Sequence, residues 1–506
     1  MADDITPEMA QQLRADSAIS DRFRDVVLRS GSALQANHLK RVASLESAAI
    51  IVPTQIFDGQ SQISSDVKTI KTLLTLEGLA QASQEEPPYV VAEIQDPRKL
   101  TTSRHAYTGP LEVIAGDAAI SELIVQGLHH PGLCRIYSAL LSAEVGNEFV
   151  IHSYPDLAGH SFDDAARRFD DGLLCGVVRA DDGACIPHLN PPDDFELQAS
   201  DDLVFIAAPN AEIDPSAPDD ASSPPDEEVE CDRRQPIAES LDERSILVLG
   251  WSQKAITLLR ELGTYRSETV DVTVMSTFSS KSRAREIESH GVDLVNGNHR
   301  QIEADYTVRR ELAAVDPEGF DDIVLLSSDR VGADEEADAR TIAGYLCLQQ
   351  LLAEVEDRPH VLVELADNDN EDLLEDAADE ILVSSRLVSH MLAQVAMHRG
   401  VRAVIEELFT AGGAELVFRE PSQYGITDQV LDFRQISRRV RRCGDTLVGI
   451  DDEISPAPDT EWSLDSGVRL IALRTVGDHE SDSTSRWAGG ELNRWRSHPQ
   501  TDDSTD

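Results

Sequence analysis

Short apolar runs alternate along this chain with longer stretches in which apolar residues recur every three or four positions. The short runs, such as VVAEIQD at 90–96 and VLVELAD at 361–367, show no polar–apolar alternation, which indicates strands buried on both faces. The longer stretches at 65–79 and 337–355 have helical spacing. Alternating strands and helices of these lengths predict an α/β fold with parallel βαβ units in open, doubly wound sheets.

The two halves of the chain repeat each other at a nearly constant offset. The matched strand segments, with the offset of each pair, are 48–53 and 321–326 (273), 90–96 and 361–367 (271), 148–153 and 415–420 (267), and 203–208 and 470–475 (267). Such self-similarity is the signature of a repeated structural unit. We therefore expect tandem Rossmann-like sheets, each followed by a helix pair and a small α+β C-terminal subdomain.

Composition shifts and the repeat together predict the domain boundaries. Residues 209–243 are rich in Pro, Ser and acidic side chains, as is typical of a linker, and the tail has a similar composition. The predicted segments are 1–146 (first Rossmann-like domain with its helix pair), 147–208 (small subdomain), 209–243 (acidic linker), 244–413 (second Rossmann-like domain with its helix pair), 414–475 (second small subdomain) and 476–506 (disordered tail).

The segment RSILVLGWSQKAITLLREL at 244–262 begins the second half with a strand, a turn and a helix. Subtracting an offset of about 271 places its counterpart before Met1. The first half is therefore expected to lack its first strand, first helix and second strand. Three explanations stay open: the chain is a fragment of a longer protein, it is a mis-started product, or a partner covers the open sheet edge.

The charge composition narrows the class of partner. Acidic residues number 93 against 44 basic ones, an excess of 49. This excess predicts no nucleic-acid partner, because phosphates would be repelled. It favours a surface adapted to high salt, with an ordinary acidic protein as the alternative.

The spacing of the cysteines and the length of the apolar segments indicate the cellular location to expect for the protein. The six cysteines show no CxxC spacing, which indicates reduced thiols rather than a zinc site or a disulfide framework. No signal peptide and no apolar window of about 20 residues is found. We therefore expect a soluble protein in the cytoplasm.

The turn after the strand at 244–249 is the first candidate ligand site. In dinucleotide-binding folds a phosphate group binds at the N-terminus of the first helix. Here the second and third glycines of that motif are missing, and Ser276 stands where an acidic residue should hold the ribose, so NAD in the usual pose is not expected. A phosphate or other anion and plain side-chain packing stay open as alternatives. The candidate nucleotide- or ligand-binding residues are Gly250, Trp251, Ser252, Lys254, Gly297, Asn298, Ser327, Gly31 and Ser32.

Acidic residues at the carboxyl ends of two matched strands are the second candidate site. Glu93 and Asp96 match Glu364 and Asp367 across the repeat. Ligands bind at this edge of open α/β sheets, and carboxylates are ligands for Ca²⁺. The alternative is a set of solvated loop acids. Ca²⁺ or a nucleotide is thus the candidate cofactor, and its identity is left unknown.

The chain contains no GxSxG, Walker or HExxH motif and no nucleophile paired with a base. The sequence therefore predicts a protein that is not an enzyme. Two alternatives to a sensor stay open, a divergent NAD(P)-binding oxidoreductase and a structural ring scaffold.

Several segments together resemble the cytoplasmic part of the Castor/Pollux-type cation channels. They are ILVLGWSQKAITLLREL, VVLRSGSALQANHLKRVASLESAAIIVP, DVKTIKTLLTL, VVAEIQD, GLCRIYSALLSAEVGNEFVIHSYPDLAGHSFDDA, NPPDDFELQASDDLVFIA and DEILVSSRLVSHMLAQVA. The resemblance covers about 20–475. It implies tandem RCK domains, also known as TrkA-N and TrkA-C domains, that regulate potassium conductance.

The resemblance also implies partners and a location. In that family the domains form a ring beneath a tetrameric pore, so we expect a homo-oligomeric ring, with four copies, at the inner face of the cell membrane. The partner would be a membrane pore subunit or a pore region preceding this chain, since pore helices are absent from the sequence given. The expected function is a ligand- or ion-sensing gating-ring module that controls a potassium or other cation channel or transporter.

Overall fold

The protein forms two compact units, which are described separately. One comprises Met1–Gly116 with Val395–Met397 and the other comprises Asp117–Gln394 with His398–Asp506; they are called unit 1 and unit 2. The structure is a computed structural model that describes residues 5–15, 17–20, 22–54, 62–142, 146–181, 184–208, 211–216, 231, 244–264, 269–292, 297–328, 334–374, 378–410, 413–427, 429–465 and 467–475.

Unit 1 is built around a parallel three-stranded sheet. Its elements are α1 (Pro7–Ala15), α2 (Ser17–Ser20), α3 (Ala36–Arg41), β1 (Ile50–Val52), α4 (Gln62–Ser83), β2 (Val90–Ile94), α5 (Leu100–His105) and β3 (Leu111–Ala115). The strand order is β1-β2-β3, with Ile50 opposite Val90 and Val90 opposite Leu111. Leu73 and Leu76 of α4 pack against β2, because the strand presents apolar side chains toward the helix.

Unit 2 begins with a helix hairpin and a small antiparallel sheet. The elements are α6 (Gly116–His129), α7 (Leu133–Leu141), β4 (Glu148–Ser153), α8 (Phe162–Ala166), β5 (Leu173–Asp181), β6 (Ala184–Leu189) and β7 (Asp202–Ala207). Gly132 has a φ of 99° at the start of α7, which allows the sharp turn between the two helices of this first hairpin. The sheet has the order β4-β7-β5-β6 and packs its own apolar core.

The centre of unit 2 is a six-stranded parallel sheet. Its elements are β8 (Arg244–Leu249), α9 (Gln253–Leu262), β9 (Val270–Ser276), α10 (Ser280–Ser289), β10 (His299–Glu303), α11 (Arg309–Ala313), β11 (Asp322–Leu325), α12 (Asp334–Leu352), β12 (His360–Leu365) and β13 (Glu380–Val383). The order β10-β9-β8-β11-β12-β13 is that of a doubly wound Rossmann sheet.

A second hairpin and a second small subdomain follow. They comprise α13 (Ser384–Met397), α14 (Val401–Phe409), β14 (Ala414–Arg419), β15 (Gln429–Asp432), α15 (Phe433–Arg442), β16 (Thr446–Ile450), β17 (Glu453–Ile454), β18 (Glu461–Leu464) and β19 (Leu470–Thr475). The sheet order β14-β19-β16-β17 parallels that of the first small sheet. The expected fold class, tandem Rossmann-like sheets each followed by a helix pair and an α+β subdomain, is thereby confirmed.

The first hairpin packs within unit 2 and not within unit 1, although the sequence assigned it to a domain ending at residue 146. Cys134 N donates to Glu380 Oε1 at 2.7 Å, at the start of β13. Tyr137 stacks edge-on against Phe409 with ring centroids 5.3 Å apart. Gln394 Nε2 of the second hairpin donates to the carbonyl of Leu140 at 3.0 Å. The two hairpins therefore contact each other directly.

The two small subdomains also meet, and the buried side chain of Asn190 lies at their contact. Asn190 follows β6, is 4 % exposed, and donates through Nδ2 to the carbonyl of Gly444 at 2.8 Å. Its Oδ1 accepts bonds from Arg441 at 2.9 Å and from Thr446 at 2.7 Å. Equivalent parts of the repeat thus contact each other inside a single chain.

The prediction of six reduced thiols is wrong for one pair. Cys231 and Cys443 form a disulfide with a Cα–Cα distance of 5.6 Å and a sequence separation of 212 residues. The spacing of the cysteines could not reveal this pair, because chain folding brings the residues together. Cys134 and Cys175 are buried thiols, as expected.

The predicted linker and tail are only partly described. Residues 211–216 contact the first small subdomain: Ile213 is 4 % exposed in its core, and Ser216 N donates to Arg168 O at 2.7 Å. The start of the predicted linker therefore packs against folded structure. The rest of 209–243, apart from Cys231, and the tail 476–506 lie outside the described residues. None of the helices in the described ranges is long and apolar enough to cross a membrane.

Candidate functional site

The turn between β8 and α9 requires glycine at position 250. Gly250 has a φ of 115°, and a Cβ there would lie 2.4 Å from the carbonyl oxygen of Leu326. Its own amide donates to Met275 O at 3.0 Å. The first turn therefore passes close to the ends of β9 and β11. This is the carboxyl edge of the sheet, as the sequence predicted.

The next residue fills the top of the sheet. Trp251 is 0 % exposed, and its Nε1 donates to Glu286 Oε2 of α10 at 3.0 Å. Ser328 Oγ donates to the carbonyl of Trp251 at 2.8 Å. Of the two alternatives for Trp251, this geometry favours packing.

Lys254 forms a buried ion pair at this edge. Its Nζ lies 2.6 Å from Glu364 Oε1 of β12 and 3.3 Å from Ser384 Oγ of α13. The side chain of Glu364 is 0 % exposed and that of Lys254 is 14 % exposed. The protein's own carboxylate therefore neutralises the cation that the sequence offered to a ligand phosphate. The carbonyl of Lys254 also accepts a bond from Ser121 Oγ of the first hairpin, at 3.1 Å.

A buried aspartate of α12 holds the loop that follows β12. Asp338 is 0 % exposed and accepts hydrogen bonds from Ser327 Oγ at 2.9 Å, from the amide of Ala366 at 2.9 Å and from that of Asp367 at 2.8 Å. Ser327 N in turn donates to Glu364 Oε2 at 2.8 Å. These bonds make the candidate edge a connected polar network.

Unit 1 contains the same arrangement. Asp66 of α4 is 0 % exposed and accepts bonds from Gln95 N at 2.9 Å and Asp96 N at 3.2 Å. Glu93 Oε2 accepts a bond from Thr54 N at 2.8 Å. Asp66 and Asp338 were missed in the sequence, although the repeat offset of 272 aligns them, because an acidic residue inside a helix is usually solvated.

The structure separates some of the predicted ligand residues. Gly297 and Asn298 precede β10 at the amino edge of the sheet, opposite to Gly250. A Cβ on Gly297 would lie 1.8 Å from Val270 O, and Asn298 N donates to Asp271 Oδ1 at 3.0 Å. Gly297 and Asn298 therefore lie at the opposite edge of the sheet from Gly250, and their role in ligand binding stays a prediction.

The matching pair in unit 1 makes local contacts. Gly31 and Ser32 precede α3, and Ser32 N donates to His38 Nδ1 at 3.0 Å. A Cβ on Gly31 would lie 3.1 Å from the His38 ring. Gly31 thus lies close to the following helix, and its role in ligand binding stays a prediction.

The four acidic residues proposed for Ca²⁺ lie at the predicted strand ends but are engaged within the protein. Asp96 is bound by Arg98 through two bonds of 2.9 Å. Burial opposes ionisation of Asp96, but the bonds from Arg98 outweigh it and lower the pKa of this carboxyl. Asp367 Oδ1 accepts a bond from Asp369 N. Within the described ranges no three His, Cys, Asp or Glu side chains cluster as a metal site would require, so the Ca²⁺ prediction gains no support and stays a prediction.

A second buried network lies at the amino edge of the six-stranded sheet. Arg244 is bound to Asp322 at 2.5 Å and 2.8 Å, and His360 lies 3.3 Å from Asp322 and 3.4 Å from Glu380. Arg244 also donates to the carbonyl of Leu128 in the first hairpin. Burial disfavours the charged imidazole, but hydrogen bonds to the two carboxylates raise the pKa of His360 to about 9. The first residues of four strands thus form a row of alternating charges.

Comparison with known proteins identifies relatives of this chain. A family profile described as "Castor and Pollux, part of voltage-gated ion channel" matches residues 117–222. The chain is 25% identical over 492 residues to "Probable ion channel POLLUX" of Arabidopsis thaliana, covering 88% of this chain and 57% of that protein. It is 25% identical over 465 residues to "Ion channel CASTOR" of Lotus japonicus, covering 84% and 52%. The chain spans about half the length of these curated relatives.

A solved structure shows the same architecture. The human SLO3 gating ring superposes with a TM-score of 0.66 at 15% identity, covering 94% of this chain and 98% of that chain. At this identity the match supports the fold alone, a tandem repeat of Rossmann-like sheets in one chain. The profile and the relatives show that this chain is similar to part of the Castor/Pollux-type ion channels.

Proposed function

We propose that this chain is a regulatory, ligand- or ion-sensing module of the gating-ring type, and that it controls a potassium or other cation channel or transporter. The observation on which this depends is the match of nearly the whole chain to the architecture of a gating ring, together with relatives that are named ion channels. We infer a regulatory rather than a catalytic role. The partner is a membrane pore, and the working form is a ring of several copies, with four as the expected number.

The proposed ligand position is the N-terminus of α9. The hydroxyl of Ser252, a residue only 2 % exposed, has no hydrogen-bond partner among the residues described, and Lys254 follows two residues later in the first turn of α9. Amides at a helix N-terminus favour an anion. A phosphate-bearing ligand would have to draw Lys254 away from Glu364. The ligand therefore competes with a bond inside the protein.

The bonds of Lys254 connect the proposed ligand position to the two helix hairpins. The backbone of Lys254 accepts the bond from Ser121, which lies on the first hairpin. The first hairpin contacts the second through Gln394. A ligand that binds one arrangement of these helices more tightly shifts the population toward it, and a ligand without that preference shifts nothing.

The test is a titration of the purified full chain in concentrated KCl. Calorimetry with ADP, ATP, inorganic phosphate, Ca²⁺, Na⁺ and K⁺ should find at least one ligand, and X-ray scattering should detect a change of shape on binding. If the ligand is a phosphate, Lys254→Met should weaken binding about tenfold or more, a loss of roughly 1.4 kcal/mol. Lys281→Met, at an exposed lysine of α10, is the charge-matched control. If no ligand binds, the sensor proposal is wrong.

A further inference from the structure

Helix α15 concentrates positive charge in a strongly acidic chain. Five of its ten residues are arginine and none is acidic, although acidic residues outnumber basic ones by 93 to 44 in the whole chain. The apolar residues of α15 are buried in the core of the second small subdomain, so the arginines occupy the remaining surface of the helix. A surface of this kind attracts carboxylates.

Two of the five arginines bind carboxylates of the first small subdomain. Arg434 Nη2 lies 2.9 Å from Asp170 Oδ1. Arg441 Nε lies 2.6 Å from Asp193 Oδ1. The helix therefore already serves, within the fold itself, as a surface on which acidic side chains dock.

The other three arginines lie in the second half of α15, close to Cys443. Arg438 and Arg442 are exposed, and Arg439 is half-buried and donates through Nη1 to Gln429 Oε1 at 2.9 Å. None of these three arginines has a carboxylate within 4 Å among the residues that the structure describes. Arg439 precedes Cys443 by four positions, which makes the two residues neighbours on the helix surface. We call the three arginines the α15 basic face.

The disulfide brings an acidic stretch of the chain to this face. Cys443 is the C-cap of α15, and its sulfur is bonded to that of Cys231. In the sequence Cys231 lies within the stretch DEEVECD at 226–232, where every other residue except Val229 is acidic. Consecutive Cα atoms are about 3.8 Å apart, so the residues on either side of Cys231 cannot lie far from the end of α15.

We propose that the α15 basic face is a docking site for the acidic segment 226–232 of the same chain, and that thiol–disulfide exchange at Cys231 and Cys443 controls its occupancy. The disulfide holds the segment at a high effective concentration, so that its carboxylates pair with the arginines. After reduction the contact depends on charge alone, which salt screens. The inference goes beyond the proposed sensor function, because the contact needs neither a ligand nor a second copy.

The exchange requires only a low-molecular-weight disulfide such as oxidised glutathione. The thiolate of one cysteine attacks a sulfur of oxidised glutathione, one glutathione leaves as its thiolate, and a mixed disulfide remains on the protein. The second cysteine attacks the protein sulfur of that mixed disulfide, and the second glutathione leaves as its thiolate. One protein dithiol is thus oxidised while one glutathione disulfide is reduced to two thiols, and an excess of reduced glutathione reverses both steps.

Burial separates this pair from two other cysteines of the chain. Cys231 and Cys443 are half-buried, within reach of a small thiol, whereas Cys134 and Cys175 are buried. Burial raises the pKa of the Cys175 thiol to about 12 and that of Cys134 well above its usual range. Both shifts disfavour the thiolate on which exchange depends. The two buried thiols therefore serve as internal references that stay unmodified in the folded protein.

The test is equilibration of the full chain with glutathione buffers of known composition. Samples are quenched with acid, free thiols are alkylated, and the peptides containing Cys231 and Cys443 are quantified by mass spectrometry. In about 0.1 M KCl the double variant Arg438→Glu/Arg442→Glu should lower the equilibrium constant of this disulfide about tenfold or more, because carboxylates then face carboxylates. In about 1 M KCl the difference from wild type should shrink.

A control and a second variant keep the result specific. Arg309→Glu/Arg310→Glu makes the same change of charge at two exposed arginines of α11 and should leave the equilibrium constant unchanged. Glu228→Gln/Glu230→Gln removes charge from the acidic segment without altering α15 and should lower the equilibrium constant several-fold. Circular dichroism verifies that the variants are folded.

Two outcomes overturn the proposal. If wild type forms no disulfide between Cys231 and Cys443 in any buffer, the exchange does not occur. If the disulfide forms but both charge variants match the α11 control, the α15 basic face does not hold the acidic segment.

Discussion

The two halves of the chain share a hydrogen-bonding arrangement at the carboxyl edge of their parallel sheets, but they differ in how deeply the glutamate there is buried. In unit 1 Glu93 accepts the amide of Thr54 at 2.8 Å, and in unit 2 Glu364 accepts that of Ser327 at 2.8 Å. Glu93 is half-buried, whereas Glu364 is fully buried and paired with Lys254. The hydrogen bonds that the two halves share are part of the repeated fold. Full burial of the carboxylate against Lys254 distinguishes unit 2, and the following variants test this distinction.

The largest effect is expected for Lys254→Met. Removing one partner of a buried ion pair leaves an uncompensated charge and costs about 3–5 kcal/mol. Lys99→Met is the matched variant of unit 1, since Lys99 contacts buried Asp66 at 2.7 Å but is itself 20 % exposed and shares Asp66 with two backbone amides. Its cost should be smaller, because without the lysine Asp66 keeps bonds from two backbone amides whereas Glu364 keeps one.

Native-state hydrogen exchange measures the two units separately in these variants. The double variant Lys254→Met/Glu364→Gln should recover most of the lost stability, since no charge then remains buried and the side-chain oxygen at position 364 can still accept the bond from Ser327 N. Equal losses in the two single variants would contradict the distinction between the halves.

The next largest loss of stability is expected at the amino edge of the parallel sheets, where the two halves of the chain also differ. Unit 2 has charged His360 between Asp322 and Glu380, whereas the repeat offset of 271 places Tyr89 in unit 1. Because the pKa of His360 is raised to about 9, its contribution is complete below about pH 6.5 and is lost as the pH rises through about 9. The loss should be about 3 kcal/mol.

Urea unfolding between pH 6 and pH 10 checks this slope. His360→Leu should remove it, and a variant at Tyr89 should leave it in place. A wild-type protein whose stability does not fall between pH 6.5 and pH 9 would show that the charge row does not stabilise the folded protein.

Intermediate and equal effects are expected where the halves agree. Asp66→Asn and Asp338→Asn each replace a buried acceptor of two backbone amides with a group that donates on one side. A buried polar group left unsatisfied costs about 1–3 kcal/mol. We expect losses near 2 kcal/mol that agree within about 1 kcal/mol, measured by hydrogen exchange in the respective unit. A large inequality would mean that the shared network is not equivalent.

The repeat explains how much could be predicted from the sequence. The positions and ends of the matched strands followed from apolar runs at a constant offset, so Glu93 and Glu364 were correctly placed on their strands. Local patterns predicted both hairpins but not that the first packs within unit 2, because a buried helix face does not specify its partner. The contact between Lys254 and Glu364 joins residues 110 apart. Long-range pairs of this kind, such as Cys231 with Cys443, have no characteristic sequence spacing from which they could be predicted.

The smallest effect compares the two long helices themselves. Gly78 lies in α4 where α12 has Gln350, and a Cβ on Gly78 would meet nothing within 4 Å. Glycine within a helix costs about 0.8–1.0 kcal/mol relative to alanine, so Gly78→Ala should stabilise unit 1 by roughly that amount. Gln350→Gly should destabilise unit 2 by about 0.5–1 kcal/mol. Hydrogen exchange measures these changes in the respective unit; a loss of stability in Gly78→Ala would mean that the surroundings of Gly78 are more crowded in solution than its geometry indicates.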